Sequence, residues 1–109
     1  MNILLDECVP RPLARYLEGH QVQTVPQAGW ASTVIGPLIR LAESEFDVFI
    51  TVDKGIRYQQ NLNSLVIGFV VLRARSNRLE DLQPLVPDIL AALRVIKPGD
   101  VVHIGSRNR

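Results

Sequence analysis

Short apolar runs without polar alternation constrain the fold of this chain more than any other feature. They occupy residues 2–5 (NILL), 48–52 (VFITV) and 65–73 (LVIGFVVLR). A strand with one wet face alternates apolar and polar residues; a run that does not alternate must be covered on both faces. The segments between the runs carry helical spacing or turn signals. Together they predict a parallel sheet covered by helices.

The chain reads β-α-β-α-β-(α)-β-α-β. After residues 2–5, Pro10 and Pro12 suit a first helical turn, where the missing N–H costs nothing. That helix runs to about Glu18, with Leu13 and Leu17 on one face and Gly19 as its stop. HQVQTV (20–25) alternates like a half-covered strand. Leu38, Leu41 and Ala42 predict a helix from about Gly36, where Pro37 still falls near the start. Residues 57–62 form a short helical or irregular connection. From Leu79 to Ile96 the leucines, isoleucines and valines recur every three or four positions. That spacing predicts one helix, or two with a kink at Pro84 or Pro87. Residues 101–104 are the last strand. Right-handed crossovers leave few ways to connect such a sheet.

A length of 109 residues predicts one domain, 1–109, and 47% apolar against 21% charged residues predicts a globular one. Cys8 is the only cysteine, which excludes an internal disulfide and a Cys-rich zinc site and fits a reducing, cytoplasmic setting. No apolar run nears the ~20 residues of a membrane span, and no secretory leader is recognisable, so the expectation is a soluble protein without a membrane partner. A net charge of +1 says little, but its distribution says more. No acid falls between residues 54 and 79, where Lys54, Arg57, Arg73, Arg75 and Arg78 lie. Such a segment can guide a phosphate backbone, or can be a solvated basic face.

Two apolar runs end on acid. ILLDECVP (3–10) places Asp6 and Glu7 after the first strand, and DVFITVDKG (47–55) places Asp53 after the third. In open α/β sheets, sites form beyond the carboxyl ends of strands where the strand order reverses. Neighbouring strands lie about 4.8 Å apart, so the acids of adjacent strands converge. Three oxygen-bearing side chains suit Mg²⁺ or Mn²⁺, which would also neutralise carboxylates that otherwise repel each other. Taken singly, either aspartate reads first as a cap for the turn that follows, and it is the pair, with Glu7 beside one of them, that favours a metal cleft. The direction of Glu7, into the cleft or away from it, is open. With a basic flank, phosphodiester hydrolysis is the natural chemistry of a metal cleft.

LLDECVPRPLARYL, GHQVQTVPQAGWA, FDVFITVDKGIRYQQNL and VVLRARSNRLEDLQPLVPDILAAL together resemble small bacterial PIN-like proteins, relatives of VapC-type toxin ribonucleases. The likeness covers nearly the whole chain. It implies a PIN-like α/β/α fold of about five strands and a divalent-metal-dependent endoribonuclease acting on RNA. It also implies a small DNA-binding antitoxin as partner. Asp6, Glu7 and Asp53 carry over as catalytic residues and metal ligands, with Arg73, Arg75, Ser76 and Asn77 as phosphate or substrate contacts. Lys54 and Arg57 extend the substrate-binding set by charge. Members of this group often carry acids where this chain has Pro37 and Gly55, and Glu43 is too far along the helix to replace them. Both departures imply an attenuated activity, or a non-catalytic module that binds antitoxin or RNA.

A receiver domain, phosphorylated on Asp53 with Mg²⁺ bound, is a third reading. It wants a hydroxyl after the fourth strand, which Ser76 supplies, and a lysine after the fifth, where Ser106 and Arg107 stand instead. Cys8 reads as a small buried hydrophobe rather than a thiolate ligand. His20 and His103 lack metal-ligand spacing and read as surface or strand-edge residues. Trp30 reads as a partly buried loop anchor, with base stacking the alternative. RYQQNL (57–62) could line the cleft or hold its loop. The leucine-rich last helix leaves room for a homodimer surface.

Overall fold

The computed structural model describes residues 1–30, 35–42, 44–52 and 66–105. Five strands form one sheet: β1 (Asn2–Leu5), β2 (Gln21–Thr24), β3 (Val48–Thr51), β4 (Gly68–Arg73) and β5 (Val101–Gly105). The order is β2-β1-β3-β4-β5, and every pairing is parallel. The chain leaves β1 toward β2, then crosses back to place β3 on the other side. The order therefore reverses at the β1/β3 boundary, where open α/β sheets build their sites.

Non-alternating apolar strands bury both faces, as expected. Ile3, Leu5, Ile50, Val70 and Leu72 join one core, together with Leu13, Leu17, Leu82, Val86, Ile89 and Leu93. Leu4, Phe49, Phe69 and Val71 point the other way, into a core shared with Leu38, Ala42 and Phe46. Phe49 and Phe69 meet edge to face, their ring centres 6.3 Å apart. Each such buried side chain stabilises the fold by about 1.5–3 kcal/mol relative to exposure. Helix α1 (Ile35–Ala42) turns Leu38 and Ala42 inward, whereas Leu41 lies 43% exposed, off the inward stripe assigned to it from spacing.

Most elements differ in detail from their expected form; β2 is Gln21–Thr24, β3 stops at Thr51 and α1 starts at Ile35, each within a residue of its expected bounds. The first helix is a 3-10 segment, Arg11–Tyr16, in which Leu13 N–H reaches back three residues to Pro10. It is shorter than expected: it ends at Tyr16, and Leu17 has left helical geometry (φ −97°, ψ 60°) with its N–H bonded back three residues to Ala14. Strand β4 begins at Gly68 rather than residue 65, since its partner β3 begins at Val48, opposite Gly68. The last helical region is three pieces: α2 (Leu79–Leu82), a 3-10 turn Gln83–Leu85, and α3 (Val86–Leu93). Pro84 and Pro87 both interrupt the ladder. It also stops at Leu93, and residues 94–96 fold back with N–H bonds to Ala91 and Ala92. Finally, β5 extends one residue further than expected, to Gly105. Its positive φ and its packing on the Arg73 carbonyl leave no room for a Cβ there.

No helix among the described residues is long and apolar enough to cross a membrane.

Candidate functional site

Asp6 is the first residue beyond β1, and the sheet holds its main chain in place. Its N–H donates to Ile50 of β3 at 2.9 Å, and its carbonyl accepts from Val9 at 2.9 Å, closing a tight turn over residues 6–9. The half-buried side chain therefore stands at the carboxyl edge of the sheet, at the strand-order switch.

Three donors fix the carboxylate. Thr51, the last residue of β3 and fully buried, donates its hydroxyl to Oδ2 at 2.7 Å. Cys8 Sγ donates to the same oxygen at 3.2 Å and lies 3.5 Å from the Thr51 hydroxyl. Glu7 N–H donates to Oδ1 at 2.9 Å. A carboxylate oxygen offers about two acceptor positions. Among the described residues, Oδ2 has both filled, whereas Oδ1 accepts one bond. These bonds fix the carboxylate in rotation, as outer groups do for ligating carboxylates.

Burial pushes the Cys8 thiol above its ordinary range, and the neighbouring Asp6 adds to the shift. Hydrogen bonds with Val52 and Thr51 pull against it. Cys8, read from the sequence as a small buried hydrophobe, is instead half-buried and donates from its protonated thiol. A cleft of about 280 Å³ opens beside Asp6, lined by Glu7, Val9, Pro10, Arg11, Thr24, Pro26 and Gln27. Glu7 is exposed along it.

Asp53, Lys54 and Arg57 fall outside the described residues, as do Glu43, Gly55 and residues 57–62. The chain reaches Asp53 two residues after Thr51. Among the described residues, no three His, Cys, Asp or Glu side chains are close enough to hold a metal ion. Asp6 and Glu7 alone therefore do not make a metal cage.

The basic segment divides into two kinds of residue. Arg73 ends β4 on the same carboxyl edge as Asp6, its guanidinium 3.4 Å from His103 Nδ1, and Arg75 is exposed in the loop that follows. Ser76 and Asn77, expected as substrate contacts, are engaged within the protein. Ser76 donates to Asp81 and accepts from Arg78 N–H at 3.0 Å, while Asn77 Nδ2 donates to the Cys8 carbonyl at 2.9 Å. Ser76 is accordingly not an idle hydroxyl of the kind a receiver domain needs. Lys97 precedes β5, at the opposite edge from Asp6.

His103 is exposed on the edge strand β5. His20 is half-buried just before β2, its pKa lowered by burial and by the amino terminus nearby. Trp30 packs edge to face on Phe46, 5.9 Å between centres, which is the anchoring role expected of it. Sequence reasoning missed Thr51. Its signal was present, since it is the lone hydroxyl inside an otherwise apolar strand, two residues before an aspartate.

No family model matches this chain, nor does any curated protein or solved structure.

Proposed function

We propose that this protein is a PIN-like, divalent-metal-dependent ribonuclease of the cytoplasm, the toxin-type partner of a small DNA-binding antitoxin. One observation carries the reading: a buried threonine on β3 and a thiol beside β1 hold one oxygen of the Asp6 carboxylate at the strand-order switch, while among the described residues the other accepts a single main-chain bond. An acid that only capped a turn would need no side chain from the neighbouring strand.

The donors suit a hard cation. Asp6 offers an oxygen that takes one bond among the described residues, Glu7 a carboxylate on the cleft, and Cys8 a neutral thiol rather than a soft anionic sulfur. Asp6 and Asp53 would hold Mg²⁺ or Mn²⁺ directly, with Glu7 as a further ligand or as the group that orients the attacking water. When bound, such a cation supplies an acidified water and charge neutralisation at the phosphodiester. Arg73 and Arg75, with Lys54 and Arg57 from the preceding loop, would neutralise the RNA backbone. Ser76 and Asn77 serve the loop that presents the arginines.

Incubation of the purified protein with structured and single-stranded RNA, with Mn²⁺ and with chelator, tests the reading. Metal-dependent cleavage by the wild type, lost in Asp6→Asn and Asp53→Asn while circular dichroism is unchanged, is the expected result. RNA or antitoxin binding without cleavage would replace it with a non-catalytic module. Phosphate added to Asp53 by a small phosphodonor, seen by intact mass, would replace it with a receiver-like domain.

A further inference from the structure

We infer that Asn77 is a positioning residue for the Asp6 carboxylate, acting through Cys8. Its purpose rests on the cation-site reading above, whereas the geometry stands without it.

Cys8 is touched from two directions. Its carbonyl accepts from Asn77 Nδ2 at 2.9 Å, a bond between residues 69 positions apart, and its Sγ donates to Asp6 Oδ2 at 3.2 Å. The bond from Asp6 carbonyl to Val9 N–H makes residues 6–9 one closed unit. A pull on the Cys8 peptide is therefore felt at the carboxylate. Asn77 itself sits in a loop with a second anchor. Ser76 and Arg78 tie the loop to Asp81 in the first turn of α2, with Arg78 Nε 3.9 Å from that carboxylate. Leu82, one residue on, is buried in the same core as Leu13, which follows the turn after β1. The loop between β4 and α2 is thus pinned to its own helix by Ser76 and to the β1 turn by Asn77.

This explains why two polar residues next to a run of arginines are spent on internal bonds. Arg73 and Arg75 belong to the same stretch of chain as Asn77. Tying that stretch to the Asp6 turn keeps the charges that meet a phosphate in a fixed relation to the carboxylate that meets the cation. Positional tolerances at such sites are tight, and outer-shell bonds set them.

The single cysteine makes the test specific. Alkylation of the full chain by iodoacetamide, followed by intact mass, reads Cys8 alone. Asn77→Leu keeps the approximate size of the side chain and removes the donor without adding charge. It is expected to raise the alkylation rate roughly threefold to tenfold, the effect of losing one hydrogen bond. Asp100→Ala, at the far edge of the sheet, removes a bond of similar kind and is expected to leave the rate unchanged. An Asn77→Leu rate equal to the wild type, or an equal rise in Asp100→Ala, overturns the inference.

Mn²⁺ titration of the same reaction separates the two readings. A saturable Mn²⁺ effect whose midpoint rises in Asn77→Leu supports both. An unchanged midpoint overturns the positioning role and leaves the cation site standing. No Mn²⁺ effect on the wild type, with faster alkylation of Asn77→Leu, keeps the Asn77 tie and removes the cation site.

Discussion

The two edges of the sheet both carry aspartates, and they use them differently. At the amino edge, Asp47 accepts the N–H of Asn2 at 2.8 Å and Asp100 accepts the N–H of Lys97 at 2.9 Å. Each holds a main-chain donor at an element end, which is what aspartate ordinarily does in turns. At the carboxyl edge, Asp6 also takes one main-chain donor, from Glu7, but adds two side-chain donors on its other oxygen. Holding a chain end needs one bond. Among the described residues, three bonds fix this carboxylate in rotation. The contrast is between an acid that holds one chain end and an acid held from the neighbouring strand, which the proposed cation site would use.

That contrast can be broken by substitution. The largest expected effect is that of Asp6→Asn, which should abolish Mn²⁺-dependent RNA cleavage, whereas Asp47→Asn should leave the rate within about twofold. Equal losses in both variants, read by gel assay, would erase the distinction between the edges. Next in size is Thr51→Val, which keeps shape and removes the donor from a fully buried position. It should weaken Mn²⁺ binding by about 10- to 100-fold, as outer-shell changes do, with Thr51→Ser restoring most of it. Calorimetric titration reads both variants.

A smaller effect concerns pH. The folded protein holds the Cys8 thiol protonated beyond its ordinary range, because burial and Asp6 disfavour the thiolate. The folded state therefore binds the proton more tightly than the unfolded one. Its contribution to stability is whole below the ordinary thiol value and is lost as pH rises from about 9 toward the raised folded value. Urea melts of the wild type should show this loss, and Cys8→Ala should flatten it. The smallest effect is at the amino edge: Asp100→Ala should lower stability by about 0.5–1.5 kcal/mol without changing Mn²⁺ binding.

The unbroken apolar runs made the sheet legible in the sequence. Strands at residues 2–5 and 48–52, with Asp6 just outside the first, followed from the lack of alternation, and the second of them ends one residue earlier, at Thr51. The helical regions were harder to place. Prolines at 12, 84 and 87 announce interruptions without saying whether a 3-10 turn or a bend results, and the start of β4 depended on where β3 begins. At the candidate site, the position of Asp6 was readable, but its partners were not. Thr51 and Asn77 reach it or its turn across 45 and 69 positions of sequence, and local patterns carry no trace of such pairings. Ser76 and Asn77 were expected as substrate contacts only through the resemblance, and the structure engages both in internal bonds.

Anomalous diffraction from a crystal soaked in Mn²⁺ tests the central claim most directly. A Mn²⁺ peak bonded to Asp6 Oδ1 and shared with Asp53, with Thr51 and Cys8 still on Oδ2, is the predicted result. A well-ordered Asp6 with no peak beside it, in a protein that still cleaves RNA, would contradict it.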